Sequence, residues 1–384
     1  LKTAHQPANE VGTSGKLFPE AFPMLRRHMP ELDVLRGLAI LMVVTYHGLY
    51  WSGVVSSSRI GALIVKASVS GWLGVNLFFV LSGFLITGIL IDTKNRPAYY
   101  RRFYFRRVRR ILPVYFLTIA VLIFLHTLTF GSTMVALAFL ANYHIFPVVG
   151  GFGPFWSLSV EEQFYLLWPT VVGRVDIRSL TILSLALCLV EPALRWLTFS
   201  YHLPLGDVHS STLLIADNLA LGALAAIFAR SRYGSIKNGR KVGLAMMVAG
   251  LVILMAGLPF GIISRTNAFG STFQTVPWNL FFTGSLLFLL ALQAPFFAGM
   301  WTAPLRFLGY ISYGLYLYHL IVFGAYDRFV NHLSSSSVQT LLHNGFMRLI
   351  LAGSLAIFIA WLSRRFFEEY FLRRKLQSSA RESQ

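Results

Sequence analysis

Apolar runs about as long as a bilayer is thick recur from Leu32 to Trp361, and this pattern constrains the fold before any single residue is weighed. Hydrophobic residues make up 55% of the chain and charged residues only 12%, too apolar a balance for a soluble core. The pattern predicts an all-α polytopic membrane protein, a bundle of about ten transmembrane helices. They fall at 33–51, 71–91, 111–130, 159–173, 180–199, 212–230, 242–260, 277–295, 306–325 and 345–363. The fourth is short for a span. Residues 133–147 are too short to cross and are expected to lie at the interface or re-enter.

The formal charge of +18 would suggest nucleic acid in a soluble protein. Here the basic residues cluster between apolar runs on alternate sides, so no nucleic-acid partner is expected. With a cytoplasmic N-terminus, 26 of the 33 Lys and Arg fall in cytoplasmic segments, four in outer loops and three within helices. That asymmetry puts both termini in the cytoplasm, with an even number of crossings between them. The expected organisation is a polar tail over 1–30, a transmembrane domain over 31–363 and a basic tail over 364–384. The first 30 residues lack the apolar core of a signal peptide, so the first helix is expected to act as an uncleaved insertion signal. With no soluble domain expected beyond the bundle, chemistry has to be housed in the membrane. Cys188 is the only cysteine, which excludes intrachain disulfides; no metal site is expected.

The stretch Glu31–Trp51, ELDVLRGLAILMVVTYHGLYW, carries three ionisable residues on one side of a helix. Arg36 and His47 are eleven positions apart, which puts them within about 20° of one another and roughly 16 Å apart along the axis. Asp33 lies one turn before Arg36. Such residues are costly in lipid and normally face a bundle interior or a wet cavity. A plainer reading is an anchoring charge and a histidine satisfied by a neighbour.

At the cytoplasmic end, the run RRFYFRRVRRILP (Arg101–Pro113) places Arg107 and Arg110 on neighbouring positions of one helix face. Two guanidiniums there can grip a phosphate-rich ligand bidentately, as lysines cannot. Topology and anionic lipid explain most of the other arginines. At the outer end stand His47, the motif FWSLSVEEQFYLLWP (Phe155–Pro169) and ISYGLYLYHL (Ile311–Leu320). Glu161 and Glu162 are expected at the start of the fourth helix, where the helix N-terminus favours a carboxylate. His319 and Tyr316 are one turn apart and share a face with Ser312. His47 is the candidate general base, because imidazole titrates near neutral pH and a carboxylate can orient it. Glu191 and Arg195, four apart, are expected to pair. Asp217 and Arg348 have no obvious partner, and Ser82 lacks the glycine pattern of a nucleophile elbow.

Five segments together resemble the acyltransferase-3 family of bacterial integral membrane O-acyltransferases. They are LDVLRGLAILMVVTYH, with its arginine–ten residues–histidine spacing, then GVNLFFVLSGFLITG, RRVRRILPVY, WSLSVEEQFYLLWP and ISYGLYLYHL, in the family's order over about 31–363. The resemblance implies transfer of an acyl group, often acetyl from acetyl-CoA, to a hydroxyl of a carbohydrate or envelope glycan at the cell's inner membrane. It implies that His47 is the essential histidine, that Arg36, Arg107 and Arg110 serve the coenzyme, and that Glu161 serves the outer site. Glu162, Tyr316 and His319 are the expected acceptor-binding residues. Some members carry a fused extracytoplasmic hydrolase-like domain. This chain is expected to stand alone, which favours direct transfer or a separate extracytoplasmic transferase as partner. The rival class is a proton-coupled transporter or a lipid or glycan flippase using the same histidine and carboxylates, although no internal repeat is visible.

Overall fold

The computed structural model describes residues 22–52, 58–143 and 152–373, and every element in them is helical. The longer helices among the described residues are α1 (Pro30–Thr45), α2 (Leu73–Thr93), α3 (Tyr99–Phe124), α4 (Phe155–Arg174), α5 (Ile177–Tyr201), α6 (Asp217–Ala229), α7 (Ile236–Gly257), α8 (Thr275–Leu292), α9 (Ala303–Asn331) and α10 (Gly345–Leu362). Seven segments of the described residues, built on α1, α2, α5, α7, α8, α9 and α10, are long and apolar enough to cross a membrane. The other three depart from that pattern for visible reasons. Helix α3 starts at Tyr99 rather than 111, so six arginines occupy its first half. Helix α4 carries Glu161, Glu162 and Arg174, and α6 has only 13 residues.

The early start of α4, at Phe155, changes the setting of its glutamates. Glu161 and Glu162 lie about two turns into the helix, beyond the reach of its N-terminal dipole. A short helix, Phe130–Leu137, opens the stretch expected at the interface, whose last part lies outside the described residues. So do 1–21 of the N-terminal tail and 374–384 of the C-terminal one. The described end of the N-terminal tail is anchored in the bundle. Met24 is fully buried against Gly239 of α7, and Gln293 Nε2 donates to the Pro23 carbonyl at 2.6 Å.

Side-chain register gives the direction of each neighbour. Helices α1 and α9 cross where Gly37 meets Leu305 and Asp33 meets Gly309, and further along both chains His47 meets His319, so they run parallel. Helix α2 runs parallel to α4 through Ser82–Glu161 and Thr87–Trp168, and parallel to α6 through Asn76–Asn218 and Asp92–Arg230. Helices α3 and α4 are antiparallel through Tyr99–Pro169 and Tyr104–Leu166. Helices α7 and α8 are antiparallel through Gly243–Gly284 and Gly250–Pro277.

Glycine permits the closest crossings. A Cβ on Gly37 would lie 1.9 Å from the Leu305 carbonyl oxygen, and one on Gly309 would lie 2.1 Å from that of Asp33. Backbones at that separation exchange dispersion contacts along their whole length, the usual way helices associate where lipid supplies no hydrophobic drive. Helix α1 is the hub. Its Leu32, Leu35 and Ala39 join α2, α6 and α8 in one apolar cluster, Ile40 and Val44 join α3, α9 and α10 in a second, and Val43 joins α2, α3, α4 and α6 in a third.

Two charge pairs join neighbouring helices, Arg195–Asp217 and Arg348–Asp327. Arg195 does not bond Glu191 as its spacing predicted; its Nη2 donates to Asp217 Oδ2 at 2.9 Å. Glu191 Oε2 instead accepts the backbone N–H of Asp217 at 2.5 Å. That N–H opens helix α6 and needs an acceptor from elsewhere, which the carboxylate provides. Arg348 also has a partner, with both carboxylate oxygens of Asp327 accepting from it at 2.7 and 2.8 Å.

Candidate active site

Among the described residues, two adjoining cavities share three lining residues, Val75, Phe79 and Tyr316. The smaller, of about 240 Å³, holds the arginines expected to serve a coenzyme: Arg36 from α1 and Arg107 and Arg110 from α3. Arg36 makes a loose contact with Asp33, 3.5 Å away on the same helix. The Arg107 guanidinium lies 5.7 Å from the Phe103 ring centre and 5.4 Å from that of Tyr165. Among the described residues neither Arg107 nor Arg110 makes an ion pair. Their donors are therefore available to an anionic ligand.

Glu161 lines this same cavity. Its Oε1 accepts from Ser82 Oγ at 2.6 Å and its Oε2 from Tyr165 OH at 3.2 Å. Tyr165 OH also lies 3.1 Å from Ser82 Oγ, closing a triangle between α2 and α4. The expected grouping of Glu161 with His47 at the outer end is thus not the arrangement present; Glu161 stands with the arginines. Glu162 lines neither cavity, and its Oε1 is buried without a hydrogen-bond partner among the described residues.

The larger cavity, of about 790 Å³, holds His47, His319 and Tyr316. His319 is fully buried, and its Nδ1 lies 3.1 Å from the Leu315 carbonyl oxygen. A carbonyl can only accept, so that Nδ1 carries the proton and the Nε2 of neutral His319 is an acceptor. His47 Nδ1 lies 3.2 Å from this Nε2 and 3.0 Å from the Val43 carbonyl oxygen. Both neighbours accept, so His47 is protonated on Nδ1, and in its neutral form Nε2 is the unprotonated nitrogen. Two main-chain carbonyls and one histidine therefore fix the tautomer a general base requires.

The backbone around His47 is held as firmly as its ring. Tyr46–Tyr50 form a π-helical turn, a widening frequent at functional sites. Arg348 Nη1 donates to the carbonyls of His47 and Gly48 at 2.7 and 3.2 Å, while Asp327 holds its other edge. Below the histidines, Tyr316 shares a hydrogen bond with Ser157 Oγ in the wall common to both cavities.

Sequence reasoning missed the Asp327–Arg348 support and the Ser82–Tyr165 bond. Only the neighbouring Glu161–Tyr165 contact left a legible signal, since Tyr165 follows Glu161 by one turn. It also missed the polar outer-cavity wall of Asp207, His209 and Arg265, which comes from two loops without periodicity. No group of three or more His, Cys, Asp or Glu that could hold a metal is found among the described residues.

Residues 29–365 match the acyltransferase-3 family model, described as an acyltransferase domain. The peptidoglycan O-acetyltransferase OatA of Listeria monocytogenes is 28% identical over 381 residues, covering 89% of this chain and 56% of that protein. The putative peptidoglycan O-acetyltransferase YrhL of Bacillus subtilis is 29% identical, covering 89% of this chain and 55% of that protein. The O-acetyltransferase OatA of Staphylococcus aureus is 30% identical, with coverages of 77% and 51%. The chain thus spans about half the length of these curated relatives. No solved structure matches. With the family model covering most of its length and its apolar helices recurring throughout, the chain is a multi-pass membrane protein and belongs to the acyltransferase-3 family.

Proposed function

We propose that this protein transfers an acyl group, acetyl by default, from cytoplasmic acyl-CoA to a hydroxyl of a cell-envelope glycan. The carrying observation is the placement of two cavities back to back, arginines in one and a tautomer-fixed histidine in the other. Arg36, Arg107 and Arg110 hold the coenzyme phosphates, and the pantetheine arm crosses the wall at Val75, Phe79 and Tyr316. His47 Nε2 takes the proton of the acceptor hydroxyl as its oxygen attacks the thioester carbonyl. The new C–O bond forms, the C–S bond breaks, and the leaving thiolate takes that proton from His47. Alignment of the two reactants and a positioned base are the rate contributions such a site supplies.

His319 acts through His47 as a positioning residue, while Tyr316, at the junction, donates its hydroxyl hydrogen bond to the developing oxyanion. Glu161 serves the donor side, balancing the arginines and orienting Tyr165. The names of the relatives point to peptidoglycan as the glycan. Parallel pairing of α1 with α9 supports ten crossings, because strict alternation of the seven apolar spans alone would make these two antiparallel. With the bias of Lys and Arg, ten crossings leave both termini and the arginine cavity on the cytoplasmic side of the inner membrane.

Binding of acetyl-CoA to the protein in nanodiscs tests the donor half. Coenzyme binding should weaken at least about tenfold in Arg107→Ala, the scale of one lost hydrogen bond to a charged group. Undiminished binding in the Arg107→Ala, Arg110→Ala double variant would remove the assignment of this cavity to the coenzyme.

A further inference from the structure

In the ten-crossing topology four Lys or Arg fall at the outer ends of the spans, Arg59 and Lys66 on a short helix between α1 and α2, Arg265 in the loop between α7 and α8, and Arg328 in the last turn of α9. Arg265 and Arg328 both line the outer cavity, Arg328 at an exposed position with its Nε donating to the Gly324 carbonyl at 3.2 Å, whereas Arg59 and Lys66, also exposed, lie on the short Arg59–Ser68 helix and do not line it. Cations on this side run against the bias that orients the helices, so two in one cavity call for a reason. Among the described residues neither Arg265 nor Arg328 makes an ion pair. Of the acids near this end, Asp327 is engaged by Arg348. Asp207 lines the cavity and its charge acts on Arg265 without forming an ion pair with it, while its Oδ1 accepts the His209 N–H at 2.7 Å. Residues 53–57 and 144–151, which fall in the sequence between cavity-lining positions, contain no Asp or Glu.

Arg265 is also held in place. Its guanidinium carbon lies 4.2 Å from the centre of the Trp72 ring, and its carbonyl accepts from Ser271 Oγ at 2.7 Å. Stacking on an aromatic face leaves the edge N–H groups of a guanidinium free to form a bidentate pair with an oxyanion. Trp51 and Trp156 add aromatic surface to the same cavity, suited to the apolar face of a pyranose.

We propose that the outer cavity selects an acceptor whose sugar carries an oxyanion, a carboxylate or a phosphate. Arg265 and Arg328 hold that oxyanion while a hydroxyl of the same glycan reaches His47. The word acceptor rests on the acyl-transfer reading, but the charge preference is measured without turnover.

The test is equilibrium binding to the full chain in nanodiscs of zwitterionic lipid, with three labelled glycans of equal length. The first alternates N-acetylglucosamine and N-acetylmuramic acid with free lactyl carboxylates. The second is the same glycan with those carboxyls reduced to alcohols, and the third is the reduced glycan carrying a terminal phosphate. One charged glycan should bind roughly tenfold more tightly than the reduced one, an advantage that shrinks as salt is raised. Whichever charged glycan binds better names the oxyanion. The preference should vanish in Arg265→Gln, Arg328→Gln, with an unchanged thermal unfolding midpoint as the check on folding. Equal binding of all three glycans, or a preference that survives in the double variant, overturns the proposal. A charge preference without acetylation of the bound glycan upholds it and removes the acyl-transfer reading; acetylation without a preference does the reverse.

Discussion

His319 Nε2 lies 3.2 Å from His47 Nδ1, and the Leu315 carbonyl on the far side of the His319 ring decides which nitrogen of each imidazole carries a proton. The consequence is a functional dependence of His47 on a residue that need not touch substrate. His319→Ala should lower kcat by about 10²-fold, the low end of what a positioned base contributes, with little change in KM for acyl-CoA. His319→Gln, which can present a carbonyl oxygen to His47 Nδ1, should retain more activity than His319→Ala. Steady-state kinetics on the three proteins checks both. An equal loss in the two variants, with KM raised, would make His319 a binding or packing residue instead.

Helices α1 and α9 cross where Gly37 faces the Leu305 carbonyl at a distance no side chain can occupy. Gly37→Leu should therefore destabilise the bundle by about 3 kcal/mol or more, since the neighbour is backbone and cannot swing away. By contrast, a Cβ on Gly324 would meet nothing within 4 Å, and Gly324→Ala should leave the unfolding midpoint nearly unchanged. Thermal unfolding in detergent measures both. Similar midpoints for Gly37→Leu and wild type would mean that α1 and α9 do not cross there.

Arg195 is 1% exposed and paired with Asp217. Removing the cation alone, as in Arg195→Met, should cost about 3–5 kcal/mol because it strands a buried carboxylate. Arg195→Met combined with Asp217→Asn should recover much of that loss. A double variant no more stable than Arg195→Met would show that the guanidinium is needed chiefly for its bonds to the Thr272 and Leu214 carbonyls.

What was legible in the sequence, and what was not, follows from the range of each signal. The alignment of Arg36 with His47 is a property of one helix, and their shared side does turn inward to line the cavities. The clustering of Arg107 and Arg110 is local in the same way. The depth of Glu161 depended on where α4 begins, and Phe155–Leu158 lengthen that helix by a turn before the motif's glutamates. The i,i+4 rule pointed Arg195 to Glu191, but the unsatisfied N–H at the start of α6 claimed Glu191 and left Arg195 to Asp217. Loop residues such as Asp207 and Arg265 carry no period at all, so only the folded chain brings them to one cavity.

Tyr316 lies in the wall between the two cavities, and its hydroxyl is shared with Ser157. Tyr316→Phe removes the proposed oxyanion donor while keeping the ring. It should lower kcat roughly 10²-fold without weakening acyl-CoA binding, the loss seen when one such donor is removed. Isothermal titration for the donor and single-turnover transfer for the chemistry separate the two effects. Unchanged single-turnover transfer would restrict Tyr316 to a structural part of the wall.

The most direct test of the whole account uses sealed proteoliposomes, with labelled acetyl-CoA on the side of the arginine cavity and glycan on the side of His47. Wild-type protein should move label across the membrane onto the glycan, and His47→Ala should fall by about 10²–10⁴-fold with acetyl-CoA binding intact. Transfer by His47→Ala at the wild-type rate, or transfer only when both reactants share one side, would contradict a base and a donor site facing each other through the bundle.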